Sequence, residues 1–152
     1  MKAILFLLGG TLTALLFVYS VKRFYATPER IFFFTLEAGT ADLNRTVKKL
    51  ENDLIENGLG VIGIFRLSED YVILLSCDVP WKEDLLRRTP SLSSLIPCPV
   101  AVYRHKGKVY LSAPKEIYFV QKHRKDLGQE LADTITRTYQ ALRITMAGVV
   151  DR

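Results

Sequence analysis

Between Lys2 and Lys22 the chain runs for 19 residues, AILFLLGGTLTALLFVYSV, without a charge or a proline. A helix rising ~1.5 Å per residue would span ~28 Å over that stretch, about the hydrocarbon thickness of a bilayer. Tyr19, Phe24 and Tyr25 fall near its exit, where aromatic rings prefer the membrane interface. The run therefore reads as an uncleaved single-pass anchor. A cleaved signal peptide is the competing reading, but no polar segment precedes Val18 and Ser20 and no A-x-A pattern occurs. A polytopic transporter is excluded, because no other stretch is long and apolar enough to span. The expected division is 1–25 for the transmembrane anchor and its flank, and 26–152 for one folded domain.

Gly9, Gly10, Thr13 and Ala14 give the anchor a small-residue face, with Gly10 and Ala14 four apart. Such spacing lets a neighbouring helix approach closely in lipid, so a protein partner through this helix is one expectation and a homodimer another. Membrane lipid is the further partner. Lys22, Arg23 and Arg30 outweigh Lys2 and the α-amino group, which by the positive-inside rule leans towards a cytoplasmic domain.

The formal charge of +5 and a pI near 9.3 raise the question of nucleic acid. Lys2, Lys22 and Arg23 flank the apolar run, and residues 26–152 hold 18 cations against 16 acids, a net of +2. A phosphate-binding domain concentrates uncompensated cations on one face. Most of the excess here belongs to the anchor's flank, and no nucleic-acid partner is expected.

Beyond a linker ending in Thr27-Pro28, residues 30–37 (RIFFFTLE) read as a strand. The Phe32-Phe33-Phe34 triplet places rings on both faces of it, favouring a core strand, with a dimer contact as the alternative. Thr40 is a candidate N-cap for a helix over 41–57, whose stripe is Leu43, Val47, Leu50 and Leu54. Gly58 follows at the C′ position, with Leu59 folding back on the last turn. Strands over 60–67 and 71–77 come next, then a short helix between Pro80 and Pro90. A hairpin of 98–105 and 108–113 turns at Lys106-Gly107. A short helix over 115–122 and a long one capped by Asp126 close the chain, the latter with Leu127, Leu131, Ile135, Thr138, Leu142 and Met146 on one face. The expected class is α+β, an antiparallel sheet covered by helices and preceded by one transmembrane helix.

Cys77 closes one strand and Cys98 opens another, with 20 residues between them. Three readings stand side by side: a disulfide, two buried thiols packing as small apolar groups, or a metal, haem or redox site. A zinc site would show a close pair such as C-x-x-C, and none is present. His105 and His123 read as solvated loop residues. The cations from Arg104 to Lys108, and Lys115, Lys122, Arg124 and Lys125 downstream, suit a solvated basic turn or an anionic surface. No G-x-S-x-G, P-loop, G-x-G-x-x-G or H-E-x-x-H occurs. Glu69-Asp70 and Glu83-Asp84 read as a turn and a helix's first turn. The leaning is against an enzyme, and no catalytic or cofactor-binding residue and no cofactor is assigned.

The stretch from Ser76 to Ser112, SCDVPWKEDLLRRTPSLSSLIPCPVAVYRHKGKVYLS, resembles the family catalogued as domain of unknown function 302. Cys77, Pro80, Pro97, Cys98, Val102, Tyr103, Gly107 and Val109 match its pattern, and the resemblance extends over about residues 30–147. Two departures stand out. Asp78-Val79-Pro80 replaces the family's Asn-Pro after the first Cys, and the connection between strands 60–67 and 71–77 is short. The resemblance implies a small α+β domain, often dimeric, and supplies no reaction. Some members carry an N-terminal membrane helix and resemble extracytoplasmic proteins, which tips the expected location to a single-pass membrane protein with its domain outside. The expected role is an accessory, interaction subunit of a larger membrane complex, such as a respiratory one. The alternative is a thiol-based metal- or haem-binding or redox module using Cys77 and Cys98.

Overall fold

A computed structural model describes residues 13–20, 28–77, 80–96 and 98–150. The chain divides into two units, Met1–Phe32 and Phe33–Arg152. In the first, helix α1 is described over 13–20 and helix α2 over Pro28–Phe32. Leu15, Leu16, Phe17, Val18 and Tyr19 of α1 are all exposed.

The expected membrane location is corrected here. No helix among the described residues is long and apolar enough to cross a membrane. Residues 13–20 would cover ~12 Å of a hydrocarbon layer that is ~30 Å thick. The remainder of the 3–21 run, with Gly9 and Gly10, lies outside the described residues. An extracytoplasmic domain tethered by a single pass is withdrawn with it.

The second unit is built on five antiparallel strands in the order β1-β5-β4-β3-β2. They are β1 (Phe33–Glu37), β2 (Val61–Ser68), β3 (Tyr71–Ser76), β4 (Cys98–His105) and β5 (Lys108–Pro114). The strand expected from residue 30 starts at Phe33 because Pro28, whose φ suits a first helical turn, begins α2 instead. Of the three phenylalanines, Phe34 packs on the core, whereas Phe32 and Phe33 are 44% and 45% exposed. The core reading of the triplet holds for one ring.

Helix α3 (Leu43–Glu56) buries the expected stripe, Leu43, Val47, Leu50 and Leu54. Its N-cap is Asp42 and not Thr40: the Arg45 amide donates to Asp42 Oδ1 at 3.1 Å, while Thr40 Oγ1 accepts from the Asp42 amide. At its end the Leu59 amide donates to Leu54 O and the Gly58 amide to Ile55 O, each at 3.0 Å, a Schellman closure. Gly58 sits at φ +71, a conformation that costs a glycine little.

Helix α4 (Lys82–Arg88) ends at Thr89, before Pro90, and a 3-10 turn, Pro90–Leu95, follows that periodicity did not announce. The final helix is interrupted. Gly128, at φ +76, separates α6 (Arg124–Leu127) from α7 (Gln129–Val150), so Asp126 lies inside α6 and caps nothing. Helix α5 is Ile117–Lys122.

One sheet face carries Val72, Leu74, Val100, Val102, Val109 and Leu111, all at most 1% exposed. They form one core with Leu50 and Leu54 of α3 and Ile135, Leu142 and Met146 of α7. Each such side chain contributes ~1.5–3 kcal/mol through removal of apolar surface from water. Beside this core, Glu116, 1% exposed, receives both Arg143 terminal nitrogens, one of them at 3.1 Å from Oε1. The pairing ties the start of α5 to α7 and satisfies a carboxylate that would be costly to bury alone.

Candidate functional site

Cys77 and Cys98 meet where β3 ends and β4 begins. Ser76 is registered opposite Cys98, and the two Cα atoms of the cysteines are 5.4 Å apart with the sulfurs bonded at 2.05 Å. Cys77 reaches that position at φ +64, its amide donating to Leu59 O at 2.7 Å. Both cysteines are fully buried, and Ser76 Oγ donates to Cys98 O at 3.2 Å. Of the three readings left open by the sequence, the disulfide is the one observed. Its sulfurs have no thiolate to offer a metal, and among the described residues no three His, Cys, Asp or Glu side chains gather as a metal would need. The bridge closes a loop that carries α4 and the 3-10 turn. Trp81 Nε1 donates to Thr138 Oγ1 at 3.2 Å and Arg88 Nη1 to Leu127 O at 3.0 Å, so the loop is fastened to α6 and α7.

Between this loop and the start of α7 lies an open cleft of about 420 Å³, lined by Trp81, Asp84, Arg88, Gly128, Glu130 and Thr134 among others. Its cation is already committed: Arg88 pairs with Asp84 at 3.2 Å as well as with Leu127 O. The Thr134 hydroxyl that lines it donates to the Glu130 backbone carbonyl at 2.8 Å.

Two cations of the basic hairpin are likewise compensated, and one downstream of it. Arg104 pairs with Asp70 at 2.7 Å and Lys108 with Glu37 at 2.8 Å, while Arg124 pairs with Asp133 at 3.2 Å. The hydrogen bond from Lys108 to Glu37 holds its ammonium above the ordinary lysine value. His105 is exposed, and His123 Nδ1 lies 3.6 Å from Asp126.

The sheet's second face is the larger feature. Opposite the buried residues, β3, β4 and β5 turn side chains of intermediate exposure outward. Their registered pairs form rows across the sheet. In one row Tyr71, Tyr103 and Tyr110 stack, with ring centroids 5.9 and 5.6 Å apart and planes within 21° and 24°. The next row brings Phe65, Ile73, Ala101, Ser112 and Thr35 together, closed by a 3.0 Å bond between Thr35 Oγ1 and Ser112 Oγ. A third row includes Leu75 and Pro99. The charges on this face, Glu37 and Lys108, sit together at its hairpin end. Sequence reading missed the ladder. Its half across the hairpin was accessible, since a two-residue Lys106-Gly107 turn dictates that Tyr103 faces Tyr110. The pairing of Tyr71 with Tyr103 depends on the β3–β4 register, which no local signal carries.

Of the small-residue face expected near the N-terminus, Thr13 and Ala14 lie in α1 and are exposed, and Gly9 and Gly10 are outside the described residues.

An antiparallel sheet with helices on one face, a buried disulfide at one corner and a broad aromatic surface on the other face define the class: a small disulfide-bridged α+β domain. The family described as Domain of unknown function DUF302 matches residues 34–143, and the chain belongs to that family. Among solved structures it is similar to an uncharacterized conserved DUF302 protein from Bacillus stearothermophilus, at 24% identity and a TM-score of 0.58, over 79% of this chain and 96% of that one. That likeness concerns the fold. No curated protein matches the chain.

Proposed function

We propose that the domain acts without catalysis, as an interaction subunit whose open sheet face docks onto a protein partner in a larger assembly. The observation that carries this reading is the Tyr71–Tyr103–Tyr110 ladder and the apolar rows beside it. Stacked tyrosines present large area with few rotamers to freeze, and aromatic residues are enriched where proteins meet. The charge distribution fits as well. Interface cores are depleted of charge and their rims are polar, and here the Glu37–Lys108 pair stands at the edge of an uncharged interior. The buried disulfide supports the same reading over a thiol-exchange module, because an exchanging sulfur must be reached by an attacking thiolate.

The test is the native size of the protein under gentle extraction, for wild type and for Tyr103→Arg. Tyr103 is on the sheet's outward face, so arginine there places a charge in the docking surface without opening the core. Wild type is expected to migrate in an assembly that the variant leaves, while the purified variant keeps a cooperative melt and an unchanged circular dichroism spectrum. Co-migration unchanged by Tyr103→Arg would sink the proposal.

A further inference from the structure

The cleft beside the disulfide-closed loop has a composition that the docking face does not explain. The loop contributes Trp81, Asp84 and Arg88 to its wall, and the last helix contributes Glu130 and Thr134. Trp81 is the chain's one tryptophan. Its Nε1 donates to Thr138 Oγ1, so the indole's only hydrogen-bonding group is spent on α7. What the side chain can still offer a ligand is its π system.

The charges of the cleft do not cancel. Its ionic lining residues are Asp84, Arg88 and Glu130. Arg88 and Asp84 neutralise each other across 3.2 Å, and the second terminal nitrogen of Arg88 is held by Leu127 O. Among the described residues no cation pairs with the Glu130 carboxylate. One negative charge is left over, in the first turn of α7, where the helix dipole offsets part of it. The walls are also fixed in advance. The Cys77–Cys98 bridge closes the loop that carries Trp81, Asp84 and Arg88, and Trp81 and Arg88 are hydrogen-bonded across to α7 and α6. Binding would therefore order little that is not already in place.

We propose that this cleft binds a small organic ammonium ion, seated against the Trp81 ring with its charge towards Glu130. The choice follows from what each class of ligand would meet. An anion would face two carboxylates, with the guanidinium already committed. A metal ion would lack a third ligand, since among the described residues no three His, Cys, Asp or Glu side chains gather. A neutral apolar group would gain the ring and nothing from Glu130. An alkylammonium uses both, because the ring quadrupole attracts a cation and the carboxylate balances its charge. The cleft is open, so water screens both attractions and the affinity is expected to be millimolar. It lies between the loop and α7, on the helical side of the sheet, and the inference does not rest on the docking proposal.

The experiment is a titration of the purified full chain with choline, at constant chloride, read by the fluorescence of Trp81 and by its one indole N–H resonance. Wild type is expected to give a saturable change in both signals. The neutral alcohol in which carbon replaces the quaternary nitrogen of choline is expected to give none over the same range. Glu130→Gln, an exposed substitution, should weaken choline binding about fivefold with an unchanged circular dichroism spectrum. Tyr103→Arg should bind as wild type does, which separates this inference from the docking surface. A wild type that shows no saturable response to choline overturns it. So does an equal response to the neutral alcohol, or an affinity that Glu130→Gln leaves unchanged.

Discussion

At the scale of single residues, Tyr139 shows how burial alters the chemistry of a side chain. Tyr139 is fully buried on α7, one turn before Arg143, and burial together with the nearby Glu116 carboxylate pushes its phenol well above the ordinary value of 10.0. The sign follows from proton binding. Above pH 10 the unfolded chain loses the phenolic proton and the native one keeps it, so this stabilisation is complete below pH 10 and is lost as pH rises beyond it. In urea titrations above pH 10, wild type should lose about 1.4 kcal/mol more per pH unit than Tyr139→Phe. Parallel slopes for the two proteins would contradict the assignment. Helical period marks this residue too, four after Ile135 and three before Leu142, although the expected apolar face was drawn through its neighbour Thr138.

Elements were legible where their signal is local. The α3 stripe, the Gly58 closure and the Lys106-Gly107 hairpin each depend on residues within a few positions of one another. The two glycines Gly58 and Gly148 show why conformation, not composition, decides. Neither would bring a Cβ against another atom, yet Gly58 is at φ +71 and Gly148 is an ordinary helical residue of α7. Gly58→Ala should therefore cost about 1–2 kcal/mol, the penalty of a left-handed backbone. Gly148→Ala should gain up to about 1 kcal/mol from helix propensity. Thermal denaturation of the two variants reads both signs. Helix ends were less legible, because Asp42 and Thr40 are both good caps and Gly128 breaks a stripe that hydrophobic spacing alone carries straight through.

For the whole molecule, the disulfide is the one covalent link between distant parts of the chain, and its effect lies largely in the unfolded state. Tying Cys77 to Cys98 restricts a loop of about twenty residues, for which chain entropy gives ~3 kcal/mol. The Cys77→Ala/Cys98→Ala double variant should lose about that much in urea unfolding. Its m-value should rise, because an unbridged denatured chain exposes more surface. A stability unchanged within error would mean that the β3–β4 pairing alone organises this corner.

The sequence by itself determined the α+β class, the family and most element boundaries, because hydrophobic period, turn chemistry and caps act over a few residues. It also placed the two cysteines at facing strand ends while leaving their chemistry open. The long apolar run misled for the same reason that it was conspicuous: composition and length suggest a bilayer crossing, but no crossing helix is found among the described residues. Tertiary structure alone decided which way the exposed groups point. Tyr71 joins Tyr103 and Tyr110 through strand register, Arg104 and Lys108 of the hairpin are neutralised by Asp70 and Glu37 from distant segments, and β2 falls at the edge of the sheet. Each of these depends on contacts between residues 30 or more apart in the chain, or on the order of strands, and neither leaves a mark in local sequence.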